Sequence, residues 1–131
     1  MQDNPPQQDI ITSSGREIIF KQTGADIALV QFDELCRTAL AAGDFLIIAD
    51  RFKGLLMQDV PVLGDDQRDA ARRFMWLVDA LYDRGRFLII GAVVAREEIY
   101  TGEDWQFEFS RTLSRLTQMS RYHLPSQDEG F

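Results

Sequence analysis

Apolar residues recur along the chain with two periods, and the switches between them mark out the elements. From Arg16 to Phe32 the pattern alternates: Ile18, Ile19 and Phe20 come first, then Ile27, Leu29 and Val30. Gln22-Thr23-Gly24-Ala25-Asp26 lies between, a polar, glycine-bearing break that predicts a β-hairpin. Asp33 is placed to cap a short helix carrying Leu35, Cys36, Ala39 and Leu40, which stops near Gly43. Asp44 is placed to cap a second helix through Phe52, with Phe45, Ile48, Ala49 and Phe52 on one side. Leu55-Leu56-Met57, followed by Asp59 and Pro61, predicts a buried strand ending at Asp59.

The second half is more regular. Phe74, Leu77, Val78, Leu81 and Tyr82 fall at helical spacing after Asp65 and Asp66, either of which is a candidate cap, and Arg84-Gly85 ends the run. Phe87 to Val94 is an uninterrupted apolar stretch, the pattern of a strand covered on both faces. Arg96 to Tyr100 suggests a helical turn, and Phe107 to about Arg121 a last helix. The predicted fold class is therefore α/β: an N-terminal β-hairpin, then strand-helix-strand-helix with the two strands parallel and the crossover right-handed. Residues 1–14 and 125–131 are polar and proline-containing and are expected to be flexible tails around a single domain at 15–124.

Composition narrows the function. At 131 residues with 45% hydrophobic content, the chain is long enough for one core. A net charge of −7 argues against general nucleic-acid binding, which calls for a basic face, and against attraction to anionic lipid. No apolar run spans a bilayer, and Met1-Gln2-Asp3-Asn4-Pro5-Pro6 has no secretion-signal pattern, so a cytoplasmic location is expected. Cys36 and His123, each the only residue of its kind, leave no metal-site pattern, and Cys36 falls on the apolar side of its helix. Lys21 and Lys53 are the only lysines; every other basic residue is arginine, the side chain that pairs in bidentate fashion with carboxylate or phosphate.

The candidate chemistry is sparse. Neither lysine follows a glycine-rich phosphate loop, and there is no nucleophile elbow or histidine-based triad. Asp59, at a strand end, has the position of a magnesium-organising acid, but Val60 stands where a second acid would orient water; a turn acid before Pro61 is the competing reading. Arg111 and Arg115 lie four apart and share a helix face, opposite Phe109, Leu113 and Leu116. They make either a solvated polar face, with Glu108 as a partner, or a contact to phosphate or a neighbouring subunit. Arg72 and Arg73 carry the same ambiguity near the start of a helix, where cations are slightly disfavoured. Trp76, Trp105 and Phe107 are either an interaction patch or, for Trp76, partly core.

Several of these stretches also carry a family likeness: Val30-Gln31-Phe32-Asp33-Glu34-Leu35-Cys36, Asp59-Val60-Pro61-Val62-Leu63, Ala71 to Asp83, Glu98-Ile99-Tyr100, and Phe107 to Met119. In order and spacing the chain from Gly15 to Leu124 resembles the C-terminal region of the ZapE family of AAA-type ATPases. It departs from the family at Lys53, where a His is frequent, and at Gly91, where a small hydroxyl residue is frequent. The resemblance implies a partial P-loop NTPase-like, three-layer fold whose phosphate loop and magnesium acids lie in a segment upstream of this one. ATP and magnesium are then implied for the complete family protein, with no cofactor bound by this chain alone. It implies oligomer contacts, and neighbours that include an N-terminal ATPase segment, other subunits, and a division or protease protein, with any membrane association peripheral and made through partners. Arg111 and Arg115 are the arginines it would carry to an ATPase site, with Arg72 and Arg73 behind them. The competing expectation is a stand-alone interaction module that keeps the fold without ATPase activity.

Overall fold

The computed structural model describes residues 7–13 and 15–123. The chain runs β1 (Gln7–Ser13), β2 (Arg16–Gly24), β3 (Ile27–Gln31), α1 (Phe32–Cys36), α2 (Ala42–Arg51), β4 (Gly54–Val60), α3 (Arg68–Asp83), β5 (Phe87–Ala92) and α4 (Gln106–His123). Single 3-10 turns at Asp65–Gln67 and Arg96–Glu98 precede α3 and α4. All five strands form one sheet in the order β1-β2-β3-β4-β5. β1, β2 and β3 pair antiparallel, and β3, β4 and β5 pair parallel. The predicted hairpin is thus β2–β3, closed by Ala25 and Asp26, both at positive φ. Gln7–Ser13, read from the sequence as tail, is instead a strand: though polar on average, it pairs along β2 and buries Ile11. The tail expected at 125–131 lies outside the described residues.

One face of the sheet makes the core. Register aligns Ala28 with Leu55 and Leu88, and Val30 with Met57 and Ile90. A bulge in β2, two residues against one of β1 between Phe20 and Thr23, switches the alternation, so that Ile18 and Phe20 keep to the buried side. Against this face lie Phe32 and Leu35 of α1, Phe45, Ile48 and Ala49 of α2, Phe74, Leu77, Val78 and Leu81 of α3, and Phe109 and Leu116 of α4. A chain of rings threads the layer: Phe32 to Phe74 at 6.1 Å, Phe74 to Phe109 at 5.9 Å, and Phe109 to Tyr100 at 4.9 Å. The helices pack on one another, α3 touching each of the other three. Among the described residues the molecule therefore supplies a sheet and one helical layer, two of the three layers of the expected architecture.

The helix starts differ from the acids assigned to them. α1 is capped at Gln31, whose backbone N–H donates to Glu34 Oε1 at 2.9 Å, so Asp33 lies inside the helix. Asp44 is also inside: its carboxylate accepts the Ala41 N–H at 2.8 Å from the third helical position. α3 begins only at Arg68, and Asp65 looks elsewhere, accepting the Glu103 backbone N–H at 3.1 Å and so tying the loop before α4 to the start of α3. Tyr82, placed in the core by its spacing, is 36% exposed; Ala70, Ala71 and Ala80 fill that width of the α3 stripe instead. β5 is the sheet's edge, and only Leu88 is fully buried in it, so it is not covered on both faces as its apolar run predicts.

Candidate functional site

The outer side of the α3–α4 pair holds most of the chain's candidate chemistry. Helical spacing brings Arg72, Met75, Trp76 and Asp79 of α3 opposite Glu108 and Arg111 of α4, with Trp105 at the mouth of α4. These residues line an open cleft of about 420 Å³. Its position depends on the loop before α4. Asp65 holds that loop from below, and the Trp105 backbone N–H donates to the Tyr100 hydroxyl at 3.1 Å. Gly102 must be glycine there, because a Cβ would come within 2.4 Å of Asp65 Oδ1 and 2.6 Å of the Tyr100 hydroxyl.

The cleft's walls are cationic and aromatic. The Arg72 guanidinium lies 5.9 Å from the Trp76 ring centre and 5.3 Å from that of Trp105; Arg68 lies 4.8 Å from the Trp105 ring centre and pairs with Asp104. Trp76 and Trp105 are half-buried, whereas Phe107, one residue before Glu108, is 78% exposed.

The four candidate arginines separate into two kinds. Arg73 is turned inward: its Nε donates to the Leu40 carbonyl at 3.1 Å and its Nη1 to the Cys36 carbonyl at 3.3 Å, closing the C-terminal end of α1. Arg115 bonds Asp79 at 2.6 Å and lies 4.8 Å over the Tyr82 ring, locking α4 to α3. Among the described residues Arg72 has ring contacts with the two indoles and no hydrogen bond or ion pair. Arg111 is exposed and makes no hydrogen bond or ion pair among the described residues, so the Glu108 pairing offered by the solvated-face alternative is not formed. Four-residue spacing put Arg111 and Arg115 on one face, but only the second lies in the helix seam, against Asp79 and Tyr82 of α3. Arg72 and Arg73 are also a full turn past the helix start, since α3 opens at Arg68, so the dipole argument does not apply to them.

Asp59 sits at the C-terminal end of β4 with φ 61°, exposed, at an irregularity in the β4–β5 register. The described residues contain no cluster of His, Cys, Asp and Glu able to hold a metal ion. Cys36 is fully buried, and burial pushes its thiol well above the usual range, with Arg73 and Arg37 pulling weakly the other way, so it stays protonated.

With this geometry in view, the comparisons decide the family. Residues 1–126 match the model of the AFG1-like ATPase family. The chain belongs to that family. It is 40% identical to the cell division protein ZapE of Escherichia coli over 69% of this chain and 24% of that protein. It is 30% identical to lactation elevated protein 1 homolog B of zebrafish (Danio rerio) over 84% of this chain and 28% of that protein. It is also 29% identical to an uncharacterized protein of Schizosaccharomyces pombe, over 90% of this chain and 32% of that protein. The chain thus spans between a quarter and a third of the length of these relatives. No solved structure matches. The five-stranded sheet with parallel β3-β4-β5 agrees with the P-loop NTPase-like fold of the family. No helix among the described residues is long and apolar enough to cross a membrane.

Proposed function

We propose that this chain is the C-terminal portion of an AFG1-like ATPase that does not bind or hydrolyse ATP by itself. In this reading it presents the α3–α4 surface to a neighbouring subunit or to the ATPase segment and supplies Arg111 to the phosphates held there. The observation that carries it is the state of Arg111: exposed, free of any partner among the described residues, and set on α4 in the same cleft as Arg72. An unpaired arginine in a protein of net charge −7, with acids available nearby, is held ready for an anion from outside. Nucleotide hydrolases of this chemistry use such a residue to stabilise charge in the transition state. A part in cell division follows from the relationship to ZapE, and protein quality control is the second setting for the same motor.

Titration of ATP-magnesium into the purified chain is expected to show no binding, and micromolar affinity would end this reading. The arginine is tested in a chimera in which the chain replaces the matched portion of E. coli ZapE. Arg111→Ala is expected to lower ATP turnover by about a thousandfold or more with the melting temperature unchanged. Unchanged turnover would remove Arg111 from the site.

A second reading, an interaction module without ATPase activity, is favoured by the cleft itself. Trp76, Trp105, Arg72 and the protruding Phe107 are the residue types that anchor protein partners. A chimera that folds but turns over no ATP would put that reading first.

A further inference from the structure

Among the described residues five arginines lay a guanidinium over an aromatic ring, and four of them also hold a carboxylate of this chain. Arg37 lies over Phe32 and pairs with Asp33 at 3.1 Å. Arg51 lies over Phe52 and pairs with Asp26 at 3.8 Å. Arg68 combines Trp105 with Asp104, and Arg115 combines Tyr82 with Asp79. Arg72 is the exception: it has two rings, Trp76 and Trp105, and no carboxylate. A guanidinium held over π-faces still offers its in-plane N–H fork, which a carboxylate accepts in bidentate fashion. The acids of this surface do not fill that place. Asp104 is engaged by Arg68 and Asp79 by Arg115, and Glu108 makes no ion pair.

The surroundings of Arg72 say what would complete it. Met75, Trp76 and Trp105 are half-buried and leave apolar surface beside the exposed guanidinium, in the open cleft of about 420 Å³. With Asp79 neutralised by Arg115, the cleft sets Arg72 and Arg111 against Glu108 alone, an excess of one positive charge in a protein of net charge −7. We infer that the α3–α4 cleft is a recognition site for a segment of a partner protein that carries an aspartate or glutamate beside an aromatic or large aliphatic residue. The carboxylate completes Arg72, the apolar side chain covers Met75 and the two indoles, and Glu108 accepts a backbone N–H of the segment. The inference rests on the second reading under Proposed function, which takes this cleft as a protein-binding surface. Two observations select the occupant. A bare anion would leave Met75 and the indoles in water, so the acid must come with apolar surface attached. A second copy of the chain would bring its whole net charge of −7 to the contact, whereas a short segment brings only its own acid.

The test begins with a library of random peptides displayed on phage and selected on the isolated chain. Enriched sequences are expected to place Asp or Glu within two positions of Phe, Tyr, Trp or Leu. The most enriched peptide is synthesised with its acid and with the corresponding amide, and both are titrated into the native chain and into Arg72→Gln. Trp76 and Trp105 are the only tryptophans of the chain and both line the cleft, so their fluorescence reports binding at that place. The amide peptide is expected to bind the native chain about tenfold or more weakly than the acid peptide, and Arg72→Gln to weaken the acid peptide by a similar factor. The two losses are expected not to add, because they remove the same contact. Arg72 is exposed, so Arg72→Gln is expected to melt with the native chain, and the peptide substitution probes the contact with the protein intact. An empty selection, enriched sequences without acids, or additive losses would overturn the inference. So would a fluorescence response to inorganic phosphate that Arg72→Gln abolishes, which assigns the cleft to a bare anion, or a dimer of the isolated chain that Arg72→Gln dissociates, which assigns it to a second copy. The outcome is separable from the reading on which it rests. ATP turnover by the chimera would remove the module without ATPase activity and leave a peptide result standing. An empty selection beside an inactive chimera would keep the module and move its contact away from the cleft.

Discussion

Cys36 shows how one side chain's surroundings set both its inertness and a measurable property of the fold. Its thiol is fully buried beneath α1, and that burial raises its pKa, while Arg73 and Arg37 lower it less and Asp33 adds a small rise. The unfolded chain releases the proton near pH 8.5, whereas the folded chain keeps it well beyond that point. Stability from this group is therefore complete below about pH 8.5 and falls as pH rises, by up to about 1.4 kcal/mol per unit. Chemical denaturation of the native chain and of Cys36→Ala between pH 7 and 10 should show the wild type losing stability more steeply. Parallel slopes would mean that the thiol ionises in the folded state. The sequence placed Cys36 on an apolar helix side, and the structure keeps it there. It did not show that Arg73, two helices away in the chain, would bond the Cys36 carbonyl at the end of that same helix and the Leu40 carbonyl in the loop beyond it. Such contacts depend on where the helices cross, which no local pattern encodes.

At the scale of elements, period was the reliable signal and capping was not. The i, i+3, i+4, i+7 run of α3 correctly placed Phe74, Leu77, Val78 and Leu81 at zero exposure. Phe74 is the centre of the ring chain, between Phe32 and Phe109, and connects α1, α3 and α4. Phe74→Ala should therefore cost about 3 to 5 kcal/mol, measured by urea denaturation. A loss under about 1 kcal/mol would mean that the neighbouring rings close the cavity without strain. The acids were misassigned for a common reason: a carboxylate near a helix start has several backbone N–H groups within reach. Asp44 serves from inside its helix and Asp65 serves another loop altogether. Tyr82 falls on the apolar spacing, yet its ring is exposed and lies under the Arg115 guanidinium. The candidate site was legible as a list of arginines. Which of them is free became visible only once α4 was set against α3.

For the molecule as a whole, the least legible feature was its first boundary. Residues 1–14 are polar enough to pass for tail, and their one strong strand signal, Ile10-Ile11-Thr12, is too short to outweigh the glutamines and prolines before it. In the fold, Ile11 is 7% exposed and pairs with Ile18, and β1 protects β2 from being the edge of the sheet. Two consequences of deleting residues 1–13 can be estimated. Burial of one isoleucine is lost, about 2 kcal/mol, and the partner surface of Ile18 and Phe20 is opened for a comparable amount. The shortened chain should thus lose about 2 to 4 kcal/mol and melt roughly 10 °C lower or more, with a single cooperative transition retained because the helical layer is untouched. It should also aggregate more readily, since β2 would present a long unpaired edge bearing Ile19 to solvent. Differential scanning calorimetry with light scattering on the two proteins measures both effects. If the melts coincide, β1 is an appendage, and the folded unit begins at β2. If the deletion abolishes folding, the antiparallel ribbon is integral to the core, and the bulge at Lys21–Gln22, which turns Phe20 inward against Phe52 at 4.8 Å, is the joint that makes it so.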